Sequence, residues 1–205
     1  TASGLEASGW EAALDAASSL LRKALAARGP EGIAVIFSPR QTNEELAAAR
    51  ELFVDRLGIK QISYRNPWEK PGQEDALLMK SDLNPNSRGA SELGLEGDTR
   101  QLLEASAGKG LDLVVIFNHD LDSPEALELL KRAGDVIYIG TNWNETSRLA
   151  SVLLPGAVCA EKDGSFTNFE GRKQHFTQAF LPLGESRQDL EILEGLSGRI
   201  ARWNS

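Results

Sequence analysis

Cysteine and histidine are scarce in this sequence of 205 residues, which holds one cysteine, Cys159, and two histidines, His119 and His175. One thiol cannot form an internal disulfide and cannot by itself hold an iron-sulfur cluster or a thiolate zinc site. Neither histidine has a partner at the spacing that a hydrolytic triad would show. We therefore predict no metal site and no catalytic residue, and we interpret Cys159 as a small buried apolar side chain.

Basic excess and long apolar runs are also missing. The formal net charge is -8 and the pI is near 4.9, which disfavours binding to the phosphates of nucleic acids. The longest apolar runs, residues 114–117 and 136–139, are far shorter than the roughly 20 residues that a membrane-spanning helix needs. The sequence thus predicts no nucleic-acid partner and no direct membrane insertion.

The first third of the chain predicts a βαβ unit. Residues 33–37 and 59–64 form apolar, β-branched runs of strand length. Between them, Thr42 and Glu45 have the spacing of a helix capping box. We assign this first unit to residues 1–66.

The last half of the chain, residues 98–205, predicts a second βαβ unit followed by a loop and a helix. Strands are predicted at residues 113–117 and 136–139, with a further short strand at 152–154. Alternating strands and helices with short connections favour one α/β domain over residues 1–205, with a mostly parallel sheet and helices on both faces. The predicted architecture is Rossmann-like.

Polar residues that suit helix N-termini mark three further starts. Ser8 with Glu11 predicts a capping box before the first helix, Ser123 predicts a cap before the second βαβ helix, and Ser186 with Asp189 predicts the start of the last helix.

The middle of the chain is the least regular part of the sequence. Residues 65–75 carry two prolines and a glycine among polar residues, which indicates a surface excursion. Residues 84–89, Asn-Pro-Asn-Ser-Arg-Gly, are predicted to be a cluster of turns. We assign no helix or strand to either segment.

Polar side chains follow three of the predicted strands, at the edge where an open α/β sheet binds ligands. An arginine there can hold a phosphate, a carboxylate can accept from a base or ribose, and neutral side chains can add hydrogen bonds. The candidate ligand-binding residues are Arg40, His119, Asp120, Thr141 and Asn142. Turns and helix caps also require polar residues after strands, so both interpretations stay open.

Glycine-rich nucleotide loops are absent from the sequence. Residues 38–40, Ser-Pro-Arg, follow the first strand where Gly-x-Gly-x-x-Gly would bring a pyrophosphate close to the backbone. No Walker-type loop occurs either. The sequence therefore does not predict binding of NADH through the dinucleotide fingerprint.

Residues 153–174 combine charge, glycine and aromatic side chains after the short strand, which indicates a structured loop. This stretch resembles the signature that ends the central α/β domain of the molybdopterin oxidoreductase superfamily. That superfamily includes formate dehydrogenases, nitrate reductases and the large (G, or 75 kDa) subunit of NADH-quinone oxidoreductase. The matching residues are Leu154, Pro155, Glu161, Gly164, Phe166, Asn168, Glu170, Gly171, Arg172 and Gln174.

Residues 77–82 and 84–90 look most like the large subunit of complex I. The resemblance implies the central-domain fold of formate dehydrogenase and DMSO reductase. It also implies a scaffold domain of NADH-quinone oxidoreductase that is not catalytic alone, a cofactor-free remnant of a molybdopterin-binding domain. Iron-sulfur clusters elsewhere in the parent would carry the electrons. A start at Thr1 without an initiator methionine favours a piece of a longer chain.

The resemblance further implies other subunits of a multisubunit redox complex as partners, and a cytoplasmic position at the inner face of a membrane. Two alternatives remain open. The first is a domain that binds a pterin guanine dinucleotide in a molybdenum-dependent oxidoreductase such as formate dehydrogenase. The second is a free-standing α/β module for a nucleotide-like ligand.

Four residues of the signature are expected to fix the loop after the last strand rather than to bind a ligand. Under the resemblance, Glu161, Asn168, Glu170 and Arg172 form a structural clamp. We expect a buried Arg172 paired with Glu161 or Glu170 through charge-assisted hydrogen bonds.

Overall fold

The structure, a computed structural model, describes residues 4–64, 74–77, 80–107, 110–121 and 123–204. Five parallel strands form one sheet in the order β2-β1-β3-β4-β5, and two further strands form a separate antiparallel pair. The strands are β1 (Ile33–Ile36), β2 (Gln61–Ser63), β3 (Leu113–Phe117), β4 (Asp135–Gly140), β5 (Val152–Pro155), β6 (Gly164–Thr167) and β7 (Lys173–Phe176).

Helices cover both faces of the parallel sheet. The helices are α1 (Trp10–Arg28), α2 (Asn43–Arg50), α3 (Ser87–Glu92), α4 (Thr99–Ala107), α5 (Pro124–Leu130) and α6 (Asp189–Ala201). Helices α1, α2 and α6 pack on one face, and α4 and α5 pack on the other.

The strand sequences explain this burial on both sides. Along β1, Ile33 and Val35 enter the core under α1, α2 and α6, while Ala34 and Ile36 enter the opposite core. Every residue of β1 and β3 is buried, as expected for central strands of a parallel sheet. The predicted α/β class with a mostly parallel sheet is confirmed.

Two of the predicted helix caps are confirmed. At α2 the N–H of Glu45 donates to Thr42 Oγ1 at 3.1 Å, and the N–H of Thr42 donates to Glu45 Oε2 at 2.8 Å. At α5 the N–H of Ala126 donates to Ser123 Oγ at 3.0 Å. Since α2 runs on from Arg50 into a π-helical turn, it reaches Arg56 before the chain turns toward β2.

The caps predicted at Ser8 and Ser186 are wrong. Helix α1 begins after Gly9 without a side-chain cap, and the Trp10 indole N–H donates instead to the carbonyl of Glu185 at 2.6 Å. Helix α6 follows Gln188, also without a side-chain cap, and Ser186 Oγ donates to the carbonyl of Leu183.

The antiparallel pair β6–β7, which we call the ribbon, is an element that the sequence did not predict. It packs through β6 on α2 and α3. Residues 84–89, predicted to be only turns, run into the first turn of α3. Residues 65–73, which make up most of the predicted excursion at 65–75, lie outside the described residues, and so do residues 78–79.

In the ranges that the structure describes, no helix is both long enough and apolar enough to span a bilayer.

Candidate functional site

A cavity of about 320 Å³ lies at the carboxyl edge of the parallel sheet. We call it the edge cleft. The connection from β1 leads to β2 on one side, and the connection from its neighbour β3 leads to β4 on the other, so the chain leaves these two adjacent strands in opposite directions at this edge. Such a switch point is where open α/β sheets bind ligands, and the volume lies within the range of small-molecule sites.

Four of the five predicted binding residues line the edge cleft. Arg40 follows β1, Asp120 follows β3, and Thr141 and Asn142 follow β4. The fold therefore brings together side chains that lie up to a hundred positions apart. Whether they contact a ligand stays a prediction.

His119 does not line the edge cleft, contrary to the prediction. It is buried, and its Nε2 lies 3.1 Å from the carbonyl oxygen of Tyr64, which follows β2. Its neighbours Asn118 and Asp120 both line the cleft, whereas the His119 ring is directed towards the end of β2. His119 belongs to the packing between the ends of β3 and β2.

The carboxylate of Asp120 is held by two neighbouring side chains. Asn144 donates its side-chain amide N–H to Asp120 Oδ1, and the hydroxyl of Tyr138 lies 3.4 Å from the same oxygen. Asn144 also donates to the Tyr138 hydroxyl at 3.0 Å. Gly140 makes room for this arrangement, because a Cβ there would stand 2.8 Å from Tyr138 Cζ. The acceptor in the cleft wall is thus fixed in position.

Asn118 joins the ends of β3 and β4. Its backbone is left-handed, with φ at 44°, a conformation that asparagine tolerates better than most residues. Its side-chain Oδ1 accepts from the N–H of Thr141 at 3.0 Å. Asn118 directly follows the strand predicted at residues 113–117, but the sequence did not predict its role in positioning Thr141.

The chain after β5 also contributes to the lining of the edge cleft. Val158, Cys159, Lys162 and Phe166 all line it, and none was predicted to do so. Cys159 is exposed, so its interpretation as a buried side chain is wrong. It stands at the start of a short 3-10 turn at the surface, outside the packed layers of the sheet and helices.

Glu161 fixes the turn that carries these residues. One carboxylate oxygen accepts from the N–H of Val158 and the other from the N–H of Leu183, both at 2.9 Å. Its own carbonyl accepts from the side chains of Gln178 and Gln188. The buried Glu161 therefore holds the loop together, and the partners of its carboxylate are backbone N–H groups rather than Arg172.

The expected burial of Arg172 is wrong. Arg172 and Glu170 are exposed at the turn of the ribbon. Asn168 holds this turn instead, since its Oδ1 accepts from the N–H of Glu170 at 3.1 Å and of Arg172 at 2.8 Å. The clamp at this end consists of an amide and the backbone, without the guanidinium.

A buried ionic cluster lies behind the cleft wall. We call Glu45, Lys162 and Asp189 the buried trio. Lys162 Nζ donates to both carboxylate oxygens of Glu45, at 2.7 and 2.9 Å, and Asp189 is completely buried. Asp189 Oδ2 lies 3.4 Å from Gln41 Nε2, and its Oδ1 has no hydrogen-bond partner within the described residues.

Burial and charge shift the acid-base behaviour of the buried trio. Desolvation, reinforced by the charge of Glu45, raises the pKa of Asp189 to about 7, against the opposing effects of Lys162 and Gln41. Desolvation acts to lower the pKa of Lys162, but Asp189 and Glu45 together outweigh it and raise that pKa. Lys162 is therefore a cation, and Asp189 is the group that titrates near neutral pH.

In the part of the chain that the structure describes, no group of three or more His, Cys, Asp and Glu side chains is placed to hold a metal ion.

Comparison with known families shows to which family the chain belongs. Residues 84–199, more than half of the chain, match the molybdopterin oxidoreductase family. The chain therefore belongs to that family. The matched region starts just before α3 and ends within α6, so it includes β3, β4, β5 and the ribbon. The predicted resemblance to this superfamily is confirmed.

Similar proteins include oxidoreductase subunits from an archaeon and from bacteria. The alpha subunit of F420-dependent formate dehydrogenase from Methanocaldococcus jannaschii is 33% identical over 126 residues, covering 59% of this chain and 17% of the relative. The alpha subunit of NADPH-Fe(3+) oxidoreductase from Geobacter sulfurreducens is 41% identical over 106 residues, covering 52% and 12%. A putative formate dehydrogenase of Staphylococcus aureus is 43% identical over 60 residues, covering 29% and 6%. This chain thus spans only a small part of each relative.

Among solved structures, acetylene hydratase from Pelobacter acetylenicus aligns with a TM-score of 0.45 and 18% identity, over 52% of this chain and 16% of the hydratase. The relatives named above are formate dehydrogenases and an NADPH-Fe(3+) oxidoreductase, so the finer expectation of a complex I subunit is not shown. They favour the formate dehydrogenase alternative.

Proposed function

We propose that this chain holds the nucleotide end of a pterin guanine dinucleotide cofactor in a formate dehydrogenase-like oxidoreductase. The observation that carries the proposal is the edge cleft, where polar side chains from the ends of β1, β3 and β4 line one cavity of suitable size. Membership of the molybdopterin oxidoreductase family and the similarity to formate dehydrogenases support it.

The residues of the edge cleft fit a guanine nucleotide. The carboxylate of Asp120 can accept from the N–H groups of guanine, and Asn144 keeps it in place. The guanidinium of Arg40 suits a pyrophosphate, and Thr141 and Asn142 can bond the ribose hydroxyls. When bound, the cofactor supplies the redox chemistry, and the role of these residues is to bind and orient it.

Partner subunits are part of the proposal. Two relatives are named as alpha subunits, which implies further subunits in those enzymes. We propose that the parent of this chain likewise works within a multisubunit oxidoreductase. A cofactor-free scaffold remains the competing function, and it predicts an edge cleft that binds no nucleotide.

The experiment is calorimetric titration of the chain with diguanosine diphosphate, a pyrophosphate diester that carries the nucleotide groups expected of the cofactor. We expect saturable binding with one site, and weaker binding of diadenosine diphosphate because adenine lacks the donor edge that Asp120 reads. Asp120→Asn replaces the charged acceptor and should weaken binding about tenfold or more, since hydrogen bonds to charged groups contribute about 1.5 to 3 kcal/mol.

The matched control is Glu170→Gln, which also removes one carboxylate but at the exposed turn of the ribbon. It should bind diguanosine diphosphate with the affinity of the unaltered chain. Folded protein that fails to bind diguanosine diphosphate even at millimolar concentration would overturn the proposal and favour the scaffold.

A further inference from the structure

The buried trio contains one more carboxylate than it has cations. Glu45 and Lys162 pair through two short hydrogen bonds, and the side chains of both are at most 3% exposed. Asp189 adds a second carboxylate in the same dry region. If every member is ionised, the cluster therefore carries one uncompensated negative charge.

The surroundings of Asp189 do little to stabilise that charge. Gln41, from the loop after β1, is its polar side-chain neighbour at 3.4 Å. The backbone of Gly156 faces its other oxygen, and a Cβ there would stand 3.0 Å from Oδ1. The charged groups that act on it are Glu45 from α2 and Lys162 from the loop after β5.

Lys162 connects the buried trio to the edge cleft. It is one of the residues that line the cleft, and its ammonium group bonds Glu45. Lys162 and Asp189 are both buried, so water and salt screen their surroundings only weakly. A charge placed in the cleft and a charge on Asp189 therefore act on each other.

We infer that binding of an anionic nucleotide in the edge cleft is coupled to the uptake of one proton by Asp189. This inference rests on the proposed function for its ligand. With Asp189 protonated, the buried trio behind the cleft wall is neutral and does not repel a pyrophosphate. With Asp189 ionised, the trio carries one net negative charge and repels the pyrophosphate. Because linkage is reciprocal, the ligand must raise the affinity of Asp189 for a proton by the factor by which the proton raises ligand affinity.

The acid-base state of Asp189 makes this coupling effective at physiological pH. Desolvation and the charge of Glu45 place its pKa at about 7, so both protonation states are populated. A small additional field from the ligand then changes the average protonation substantially.

The test is calorimetric titration of the chain with diguanosine diphosphate at about pH 7 in buffers of different ionisation enthalpy. The phosphates of this probe are diesters, so they do not titrate near neutral pH. We expect net proton uptake on binding, and an affinity that falls about fivefold or more between about pH 6 and pH 8. Asp189→Asn should abolish the uptake and flatten the pH dependence, because the amide mimics the neutral acid.

Glu191→Gln is the control, since it removes an exposed carboxylate two residues along the same helix. It should leave the proton uptake of the parent unchanged. Should Asp189→Asn fail to fold, the buffer series on the parent chain still decides the question.

Binding without proton uptake would overturn the inference and leave the proposed function standing. Uptake that persists in Asp189→Asn would also overturn it, and would assign the proton to another group such as a histidine. Absence of binding at every pH would instead refute the proposed function, and the inference with it.

Discussion

The burial of Asp189 costs desolvation free energy, and most aspartates in proteins are exposed to solvent instead. The side chain is completely buried, one of its oxygens has no partner in the described part of the chain, and Glu45 lies close enough to oppose its ionisation. A group in such surroundings holds its proton to higher pH in the folded state than in the unfolded state. The consequence is a pH dependence of stability that can be traced to one residue.

Stability should fall as pH rises through the range between the ordinary pKa of aspartate, 3.8, and the raised pKa of Asp189, about 7. Below that range both states are protonated, and within it only the unfolded chain releases the proton. Asp189→Asn removes this effect, so its free energy of unfolding relative to the parent should rise by roughly 2 to 3 kcal/mol between about pH 5 and pH 8.

Urea unfolding of the parent, Asp189→Asn and Glu191→Gln at both pH values measures this. Glu191→Gln should track the parent. A difference between parent and Asp189→Asn that is the same at both pH values would contradict the raised pKa.

Single-residue roles in the cleft follow from the sequence only in part. Arg40, Asp120, Thr141 and Asn142 were predicted because strand ends meet at one edge, and this rule needs only the strand positions. The prediction for His119 was wrong because this rule does not say in which direction each side chain points. Lys162 was missed because its environment comes from Glu45 and Asp189, which are distant in sequence.

The ribbon is the element that joins the loop after β5 to the rest of the domain. The carboxylate of Glu44 accepts from the N–H of Ser165 at 2.8 Å and from its hydroxyl at 2.6 Å. Asn86, just before α3, accepts from the N–H of Thr167 at 2.7 Å and donates to the carbonyl of Gln41 at 2.9 Å. These bonds tie β6 to α2 and α3, and so they position Phe166 in the cleft wall.

The close approach of β6 to α2 requires a glycine at position 164. A Cβ on Gly164 would stand 2.8 Å from Thr42 Cβ, at the cap of α2. Gly164→Ala should therefore destabilise the protein by about 1 to 3 kcal/mol, the typical cost of forced overpacking. Thermal or urea unfolding measures the change.

Gly198→Ala is the matched control, because nothing lies within 4 Å of a Cβ at that position inside α6. It should stabilise the protein by about 0.5 to 1 kcal/mol, since glycine costs conformational entropy in a helix. If Gly164→Ala behaved like Gly198→Ala, the tight contact between the ribbon and α2 would be refuted.

The regular elements were predictable because their patterns are local. The apolar run of β3 and the capping box of α2 each depend on a few consecutive residues, and both were predicted within a residue of their bounds. The ribbon was missed because β6 and β7 have only four residues each, and neither contains an apolar run that would mark it as a strand. The turn predicted at residues 84–89 became the start of α3 since Asn86 finds its partners in Gln41 and Thr167.

At the scale of the whole molecule, the edge cleft is assembled from the ends of strands that the sequence separates widely. The sheet order places β1 between β2 and β3, and the loop after β5 adds further lining residues. The class of fold follows from the alternation of strands and helices. The shape of the cleft does not, because it depends on the backbone of Asn118 and on the turn fixed by Glu161.

The rim of the cleft carries the only cysteine of the chain, which makes its occupancy measurable. Cys159 is exposed, so alkylation of the folded protein can be followed by mass spectrometry at one position. A ligand in the cleft lies beside this thiol and should shield it. Protection therefore reports binding at this place rather than elsewhere on the surface.

The most direct test of the account is the rate of Cys159 alkylation with and without diguanosine diphosphate. We predict that the rate falls in proportion to the bound fraction of the parent, and that Asp120→Asn loses this protection at the same ligand concentration. An unchanged rate at a concentration where calorimetry shows saturation would contradict the assignment of the edge cleft as the nucleotide site.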